Sequence, residues 1–181
     1  MKASLRQATA EDLPAIAAVL VAAGRAAWGH IGPVEQLESS AAEWAPRLAA
    51  ASAALVAEDG GEVVGFAFTG PCELQYFHTH PRVWGQGVGR ALLAAVEDTL
   101  RAAGCEEATL WTEERNERPL RVYAAAGWLP DGAVQERDWL GVPLRELRLR
   151  KRLARSSSPL GGRWVSSGGS AVTRPRSTRC C

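Results

Sequence analysis

Gly85, Gly87 and Gly89 occupy alternate positions between an apolar-aromatic run ending at Phe77 and a helix-forming run that begins at Val88. Strand, glycine turn and helix start in that order suit an anion. The first N–H groups of a helix have no intrahelical partner, and the helix dipole is positive there. Glycines let a phosphate approach closely enough to use both. Arg90 fits the same chemistry, because a cation in the first helical turn opposes the dipole unless a phosphate neutralises it. Two nucleotide sites are excluded. A triphosphate loop, GxxxxGK[ST], needs a lysine, and none lies between residues 3 and 150. A dinucleotide fingerprint, GxGxxG, fails because the third glycine comes one position early and Arg90 takes the sixth place. His78 and His80 are spaced as a metal pair, but no third ligand accompanies them, and no metal is expected.

The elements around this loop follow from hydrophobic period and turn residues. A short strand over 3–8 precedes a helix over about 10–24, with Thr9 and Asp12 spaced as a capping box. A second helix is predicted over about 34–51, broken or kinked at Pro46. Strands 54–58, 62–69 and 73–79 are joined by Asp59-Gly60-Gly61 and Gly70-Pro71, which makes an antiparallel meander. A helix over about 88–103 is capped by Gly104, and a right-handed crossover then sets strand 107–112 parallel to strand 73–79. A short helix over about 118–126 ends at Gly127, and the last strands lie beyond Trp128. The fold class is α/β of the α+β kind: a mixed, mostly antiparallel sheet flanked by helices, with the glycine loop between the fourth strand and the next helix.

Composition bounds the partners. The chain of 181 residues, 46% of them hydrophobic, fits one domain with a real core. Residues 154–181 hold five arginines and no acid, so the rest carries a net charge of −4 beneath the overall +1. A mildly acidic body argues against a nucleic-acid partner. The apolar stretch 13–23 is too short to span a membrane, and residues 1–8 lack a signal-peptide core. A cytoplasmic location is expected, with Cys72 and Cys105 as free thiols. The domain is expected to occupy 1–153, followed by a disordered Ser/Gly/Arg-rich tail over 154–181.

The run Trp84-Gly85-Gln86-Gly87-Val88-Gly89 resembles the Gln/Arg-x-x-Gly-x-Gly/Ala motif of the GNAT N-acetyltransferase superfamily. The segment from Asn116 through Tyr123 to Gly127-Trp128 is similar to that family's Asn…Tyr…Gly-aromatic stretch, and the opening order of elements fits as well. The resemblance spans about residues 3–152. It departs from the family at Trp84, which stands where Gln or Arg is usual.

The resemblance implies acetyl-CoA as cosubstrate. Its pyrophosphate would rest on Gly85, Gln86, Gly87, Val88, Gly89 and Arg90, with Asn116 as a further contact. The pantetheine would pair with the backbone of Phe77, His78 and Thr79. Tyr123 matches the tyrosine that gives a proton to the departing thiolate; a phenol with a pKa of about 10 is protonated at neutral pH. Glu73 matches a position some members use as general base, and alternation along the strand puts it on the face of Phe77. A solvated strand-end carboxylate and a core tyrosine are the competing roles for these two residues. The acceptor would be a primary amine of a small molecule or protein N-terminus. A catalytically inactive acetyl-CoA-binding regulatory module is the alternative. The assembly state stays open, a homodimer included.

Overall fold

The computed structural model describes residues 3–139 and 141–153; the expected tail over 154–181 lies outside the described residues. Seven strands form one sheet in the order β1-β2-β3-β4-β5-β7-β6. Their ranges are β1 Ser4–Gln7, β2 Ala53–Asp59, β3 Glu62–Gly70, β4 Glu73–Thr79, β5 Glu107–Glu113, β6 Leu129–Trp139 and β7 Val142–Arg152. Four α-helices flank it: α1 Leu13–Ala27, α2 Ala41–Ala50, α3 Val88–Ala102 and α4 Glu117–Ala125. Among the described residues only β4 and β5 pair in parallel, as the crossover through α3 requires. None of the described helices is long and apolar enough to cross a membrane.

Each sheet face has its own core. Leu92, Leu93, Val96 and Leu100, at helical spacing on α3, pack with Leu74, Leu110, Tyr123 and Trp128 on one face. On the other, Ile16 and Val19 of α1 and Trp44 of α2 cover Val56, Phe66 and Phe68. Trp44 meets Phe66 and Phe68 edge-on at 4.9 and 5.6 Å, an arrangement that adds to simple area burial. That anchor explains α2. The helix begins at Ala41 rather than at 34, where only a 3-10 turn forms, and it runs through Pro46 without ending. Pro46 sits in the second turn, where it costs one backbone bond close to the helix start, and tertiary packing outweighs that loss. The predicted box at Thr9 and Asp12 is present, and Asp12 also takes both arms of Arg6 at 2.7 Å.

Two departures from the sequence expectations concern β4. Tyr76 pairs with Phe68 and Leu74 with Thr69, so Gln75 has no partner on β3 and forms a bulge. The bulge flips the alternation. Leu74 and Phe77 both pack against the α3 core, and Glu73 therefore lies on the opposite face from Phe77, contrary to the expected shared face. The second departure is that Cys72 and Cys105 are not free thiols. They form a disulfide with Sγ–Sγ 2.09 Å and Cα–Cα 5.6 Å. Their separation of 33 residues hides this in the sequence, but parallel pairing of β4 and β5 brings the two strand entrances together. The Thr109 N–H donates to the Cys72 carbonyl at 3.0 Å beside the bridge. A loop of this length gives a crosslink worth about 2–4 kcal/mol. The Cys72→Ser/Cys105→Ser double variant should lose about that much unfolding free energy in urea. Reductant should produce the same shift in the parent protein and none in the variant.

Candidate functional site

The ladder between β4 and β5 holds only two residue pairs, Glu73 with Thr109 and Leu74 with Leu110. Past the Gln75 bulge the strands part, and among the described residues the edge of β4 from Gln75 to Thr79 has no strand beside it on that side. A cavity of about 1300 Å³ occupies the gap and is lined from both faces of the sheet. Exposed strand edges offer backbone N–H and C=O groups to any extended, amide-bearing ligand.

Beyond β4 a short 3-10 turn, Pro81–Val83, leads to the glycine loop. His80 closes this turn by accepting the Arg82 N–H on Nδ1 at 3.2 Å, so it serves the His-Pro step. Gly85 and Gly87 adopt φ of +80° and +85°, with nothing within 4 Å of a Cβ placed on either. Left-handed backbone excludes most other residues there, and the open space above admits a ligand. Gly89 is different. A Cβ on it would lie 3.8 Å from Thr79 and 3.9 Å from Phe77, so this helix–strand approach is close.

Glu73, Phe77, His78, Thr79, Gly85, Gly87, Gly89, Arg90, Asn116 and Tyr123 all line the cavity. Two expected cofactor contacts, Gln86 and Val88, do not line it. The Gln86 side chain donates to the Arg82 carbonyl at 2.7 Å, and Val88 is buried among Ala57, Val64 and Val83. The Gln86 N–H is itself donated to the Val83 carbonyl at 3.3 Å, so of the two only Val88 has a backbone N–H to offer a ligand. Asn116 takes the N-cap position of α4 yet makes no capping hydrogen bond. An asparagine at that position ordinarily bonds the helix's own N–H groups, so this amide is uncommitted locally.

Tyr123 is 5% exposed and packs on Phe77 and Trp128 at ring separations of 5.9 and 6.3 Å. It is both a core aromatic and a cavity wall. Burial raises its pKa well above that of a free phenol, which keeps it protonated at any physiological pH. His78 lies on the opposite face, against Trp28 and Phe66 at 5.6 and 5.3 Å. Burial lowers its pKa to about 4 and holds it neutral.

Trp84, the residue that departs from the resembled motif, is built into the loop. Its indole N–H donates to the Thr79 carbonyl at 2.9 Å and reaches the Thr79 hydroxyl at 3.1 Å. The guanidinium of Arg118, on α4, lies 4.2 Å from the centre of its ring.

On the α1/α2 side, two carboxylates line the cavity from strand positions directly opposite each other, Glu113 on β5 and Glu146 on β7. They are 7% and 6% exposed. Arg115 and His30 approach Glu113 at 2.9 and 3.6 Å. Glu146 takes Gln135 at 2.7 Å and Arg137 at 3.1 Å. Trp28 and Trp139 meet edge-on at 5.6 Å and wall this side with Trp111. Sequence reasoning gave no role to Glu146 or Arg118. The alternation Leu144, Glu146, Arg148 carried the signal for Glu146, because it fixes which face that strand turns to the cavity. Nothing local in the sequence pointed Arg118 at Trp84. Among the described residues no group of three His, Cys, Asp or Glu side chains is placed to hold a metal ion.

A family model described as the acetyltransferase (GNAT) family matches residues 14–128. Solved structures share the fold. A GCN5-related N-acetyltransferase from Rhodopseudomonas palustris is 27% identical with a TM-score of 0.73, over 84% of this chain and 97% of that one. A phosphinothricin acetyltransferase from Sinorhizobium meliloti, in complex with acetyl-CoA, is 22% identical with a TM-score of 0.70, over 90% and 95%. The yncA acetyltransferase from Salmonella typhimurium, with its cofactor acetyl-CoA, is 20% identical with a TM-score of 0.64, over 88% and 98%.

The depressed pKa of His78 has a consequence with a definite sign. Between its folded value of about 4 and the unfolded value of 6.5, the unfolded chain binds more protons, so His78 withdraws stability as pH falls through that window. The His78 ring resonances should not move between pH 5.5 and 8 in an NMR titration. A midpoint near 6.5 would show the ring to be solvated.

Proposed function

This chain belongs to the acetyltransferase (GNAT) family, and we propose that it transfers the acetyl group of acetyl-CoA to a primary amine of a small molecule or a protein N-terminus by direct attack. The observation that carries this reading is the unpaired edge of β4, which runs from the bulge at Gln75 towards the open glycine loop along a cavity walled by Tyr123. Pantetheine is a chain of amides and would continue the sheet along Phe77, His78 and Thr79. Its diphosphate would meet the N–H groups of Gly85 and of residues 87–90, the Gln86 N–H being held by the Val83 carbonyl, and Asn116 has its amide free of the helix it precedes. A cavity of about 1300 Å³ has room for both substrates.

Acetyl transfer from a thioester to an amine has simple requirements. The amine attacks as the neutral base, the C–N bond forms, and the carbonyl oxygen gains charge that a backbone N–H of β4 would stabilise. The C–S bond then breaks, and the sulfur needs a proton. Tyr123 is still protonated at that moment because burial raises its pKa. The phenol is by the same token a weaker acid than the thiol it assists. It therefore acts by hydrogen bonding to the developing thiolate, and the proton lost by the amine completes the exchange.

Glu73 is the proposed base. It lines the cavity from the face opposite to Phe77, and Tyr123 packs on Phe77. Base and acid so placed would address the reacting carbonyl from two sides of the gap, the amine entering from one and the thiolate leaving to the other.

The test is release of CoA thiol across a panel of small amines and peptides. Tyr123→Phe keeps the packing and removes the hydroxyl; it should lower kcat on the order of 100-fold. Glu73→Gln should shift the acidic limb of the pH–rate profile if this carboxylate accepts the proton. Unchanged kcat in Tyr123→Phe would remove the acid role. A parent protein that binds CoA yet releases no thiol with any amine would be the inactive binding module.

A further inference from the structure

The one side-chain donor of Trp84, at the head of the glycine loop, is spent on Thr79, so the loop has no free side-chain donor at that point. We infer that Arg118 supplies it from α4: its guanidinium, carried on the face of Trp84, is a second cation for the diphosphate of the cosubstrate, opposite Arg90. This rests on the acetyl-CoA reading above.

Several observations converge on the pair. The Arg118 guanidinium lies 4.2 Å from the ring centre of Trp84, within the range of a cation–π contact. The ring is itself fixed, since its N–H is held by both oxygens of Thr79 at 2.9 and 3.1 Å. Trp84 is thus a platform one residue before Gly85, and the cation it carries lines the same cavity as Gly85, Gly87 and Arg90. Among the described residues no carboxylate pairs with Arg118 or Arg90, whereas Arg121, one turn further along α4, is held by Glu117 at 3.0 Å. An exposed arginine on a helix that carries glutamates usually finds one. Lying over the aromatic ring instead, the Arg118 guanidinium has N–H donors free of any carboxylate, and such a fork grips phosphate oxygens. Arg90 extends from the first turn of α3 and Arg118 from the first turn of α4, so the two cations would close on the glycine loop from separate helices.

The ligand chemistry is a diphosphate ester. CoA also carries a 3′-phosphate, and the two can be told apart with 3′-dephospho-CoA. The experiment measures Kd for CoA and for 3′-dephospho-CoA by calorimetry, and KM for acetyl-CoA with whichever amine is turned over. Variants are Arg118→Ala, Arg118→Lys, Trp84→Leu and the Arg118→Ala/Trp84→Leu double. Arg101→Ala, which removes one positive charge from the far end of α3, is the control.

A charge-assisted bidentate contact predicts about a tenfold rise in Kd for Arg118→Ala, with the effect in KM rather than kcat. Arg118→Lys should recover only part of it, because an ammonium cannot stack and fork together. The double variant should bind no worse than about the weaker single, since platform and cation act as one unit. The penalty should be equal for CoA and 3′-dephospho-CoA. A Kd for Arg118→Ala within twofold of the parent, or matched by Arg101→Ala, would overturn the inference. A penalty that disappears with 3′-dephospho-CoA would move the contact to the 3′-phosphate and overturn the diphosphate assignment. A parent protein that fails to bind CoA at all would overturn the cosubstrate reading, and this inference with it.

Discussion

The constraint on which the molecule depends is the brevity of the parallel ladder between β4 and β5. Two residue pairs join these strands, and then they separate. A sheet that loses pairing at its centre gives up backbone hydrogen bonds and exposes strand edges, which is ordinarily unfavourable. Compensation sits on either side of the gap. The Cys72–Cys105 disulfide and the Thr109–Cys72 hydrogen bond clamp the entrances of the two strands. β5 pairs along its whole length with β7 on its other edge, and β4 with β3 on its own. The opening is therefore held by covalent and ladder contacts outside it.

The bulge at Gln75 decides what the opening presents. Without the extra residue, Glu73 and Phe77 would share a face, with Leu74 opposite. With it, Leu74 and Phe77 both enter the α3 core, and Glu73 turns to the α1/α2 side. Phe77 in turn supports Tyr123, which Trp128 backs from the other side. The buried aromatic stack thus fixes the phenol at the cavity wall with no hydrogen bond needed for its orientation. Desolvation by that packing also keeps it protonated.

Much of this was legible in the sequence because it rests on local chemistry. The meander over β2 to β4, the capping box at Thr9, the positive-φ glycines of the loop and Gly127 after α4 all follow from turn residues and period. What was not legible depends on register or on contacts distant in the chain. A strand bulge leaves no mark in the run Glu73-Leu74-Gln75-Tyr76-Phe77, which alternates acceptably either way. The disulfide joins residues 33 apart, and the Arg118–Trp84 stack joins different elements across the cavity. The start of α2 was misplaced for a related reason. Helical period continued back to residue 34, but Trp44, lodged against Phe66 and Phe68, set where the helix could lie.

The cavity is also polarised, and the sheet explains how. On the α3/α4 side it meets Arg90, Arg118, Arg121 and Lys151, with Glu97 holding Lys151 at 2.6 Å; on the other it meets Glu43, Glu73, Glu113 and Glu146, with Arg47 and Arg137. Buried like charges directly across a strand pair, as Glu113 and Glu146 are, destabilise a sheet unless each is separately neutralised. Here each is. Arg115 serves one, and Arg137 with Gln135 serves the other. Both arginines are more than half exposed, at 56% and 60%, while their carboxylates are buried. The asymmetry matters, since solvent screens an exposed cation more strongly than a buried anion. The field inside the cavity is then weighted towards the carboxylates on this side even though Glu113 and Glu146 each have an arginine of their own. Opposite signs on the two walls favour an anionic ligand against α3 and α4 and a cationic one against the acidic wall.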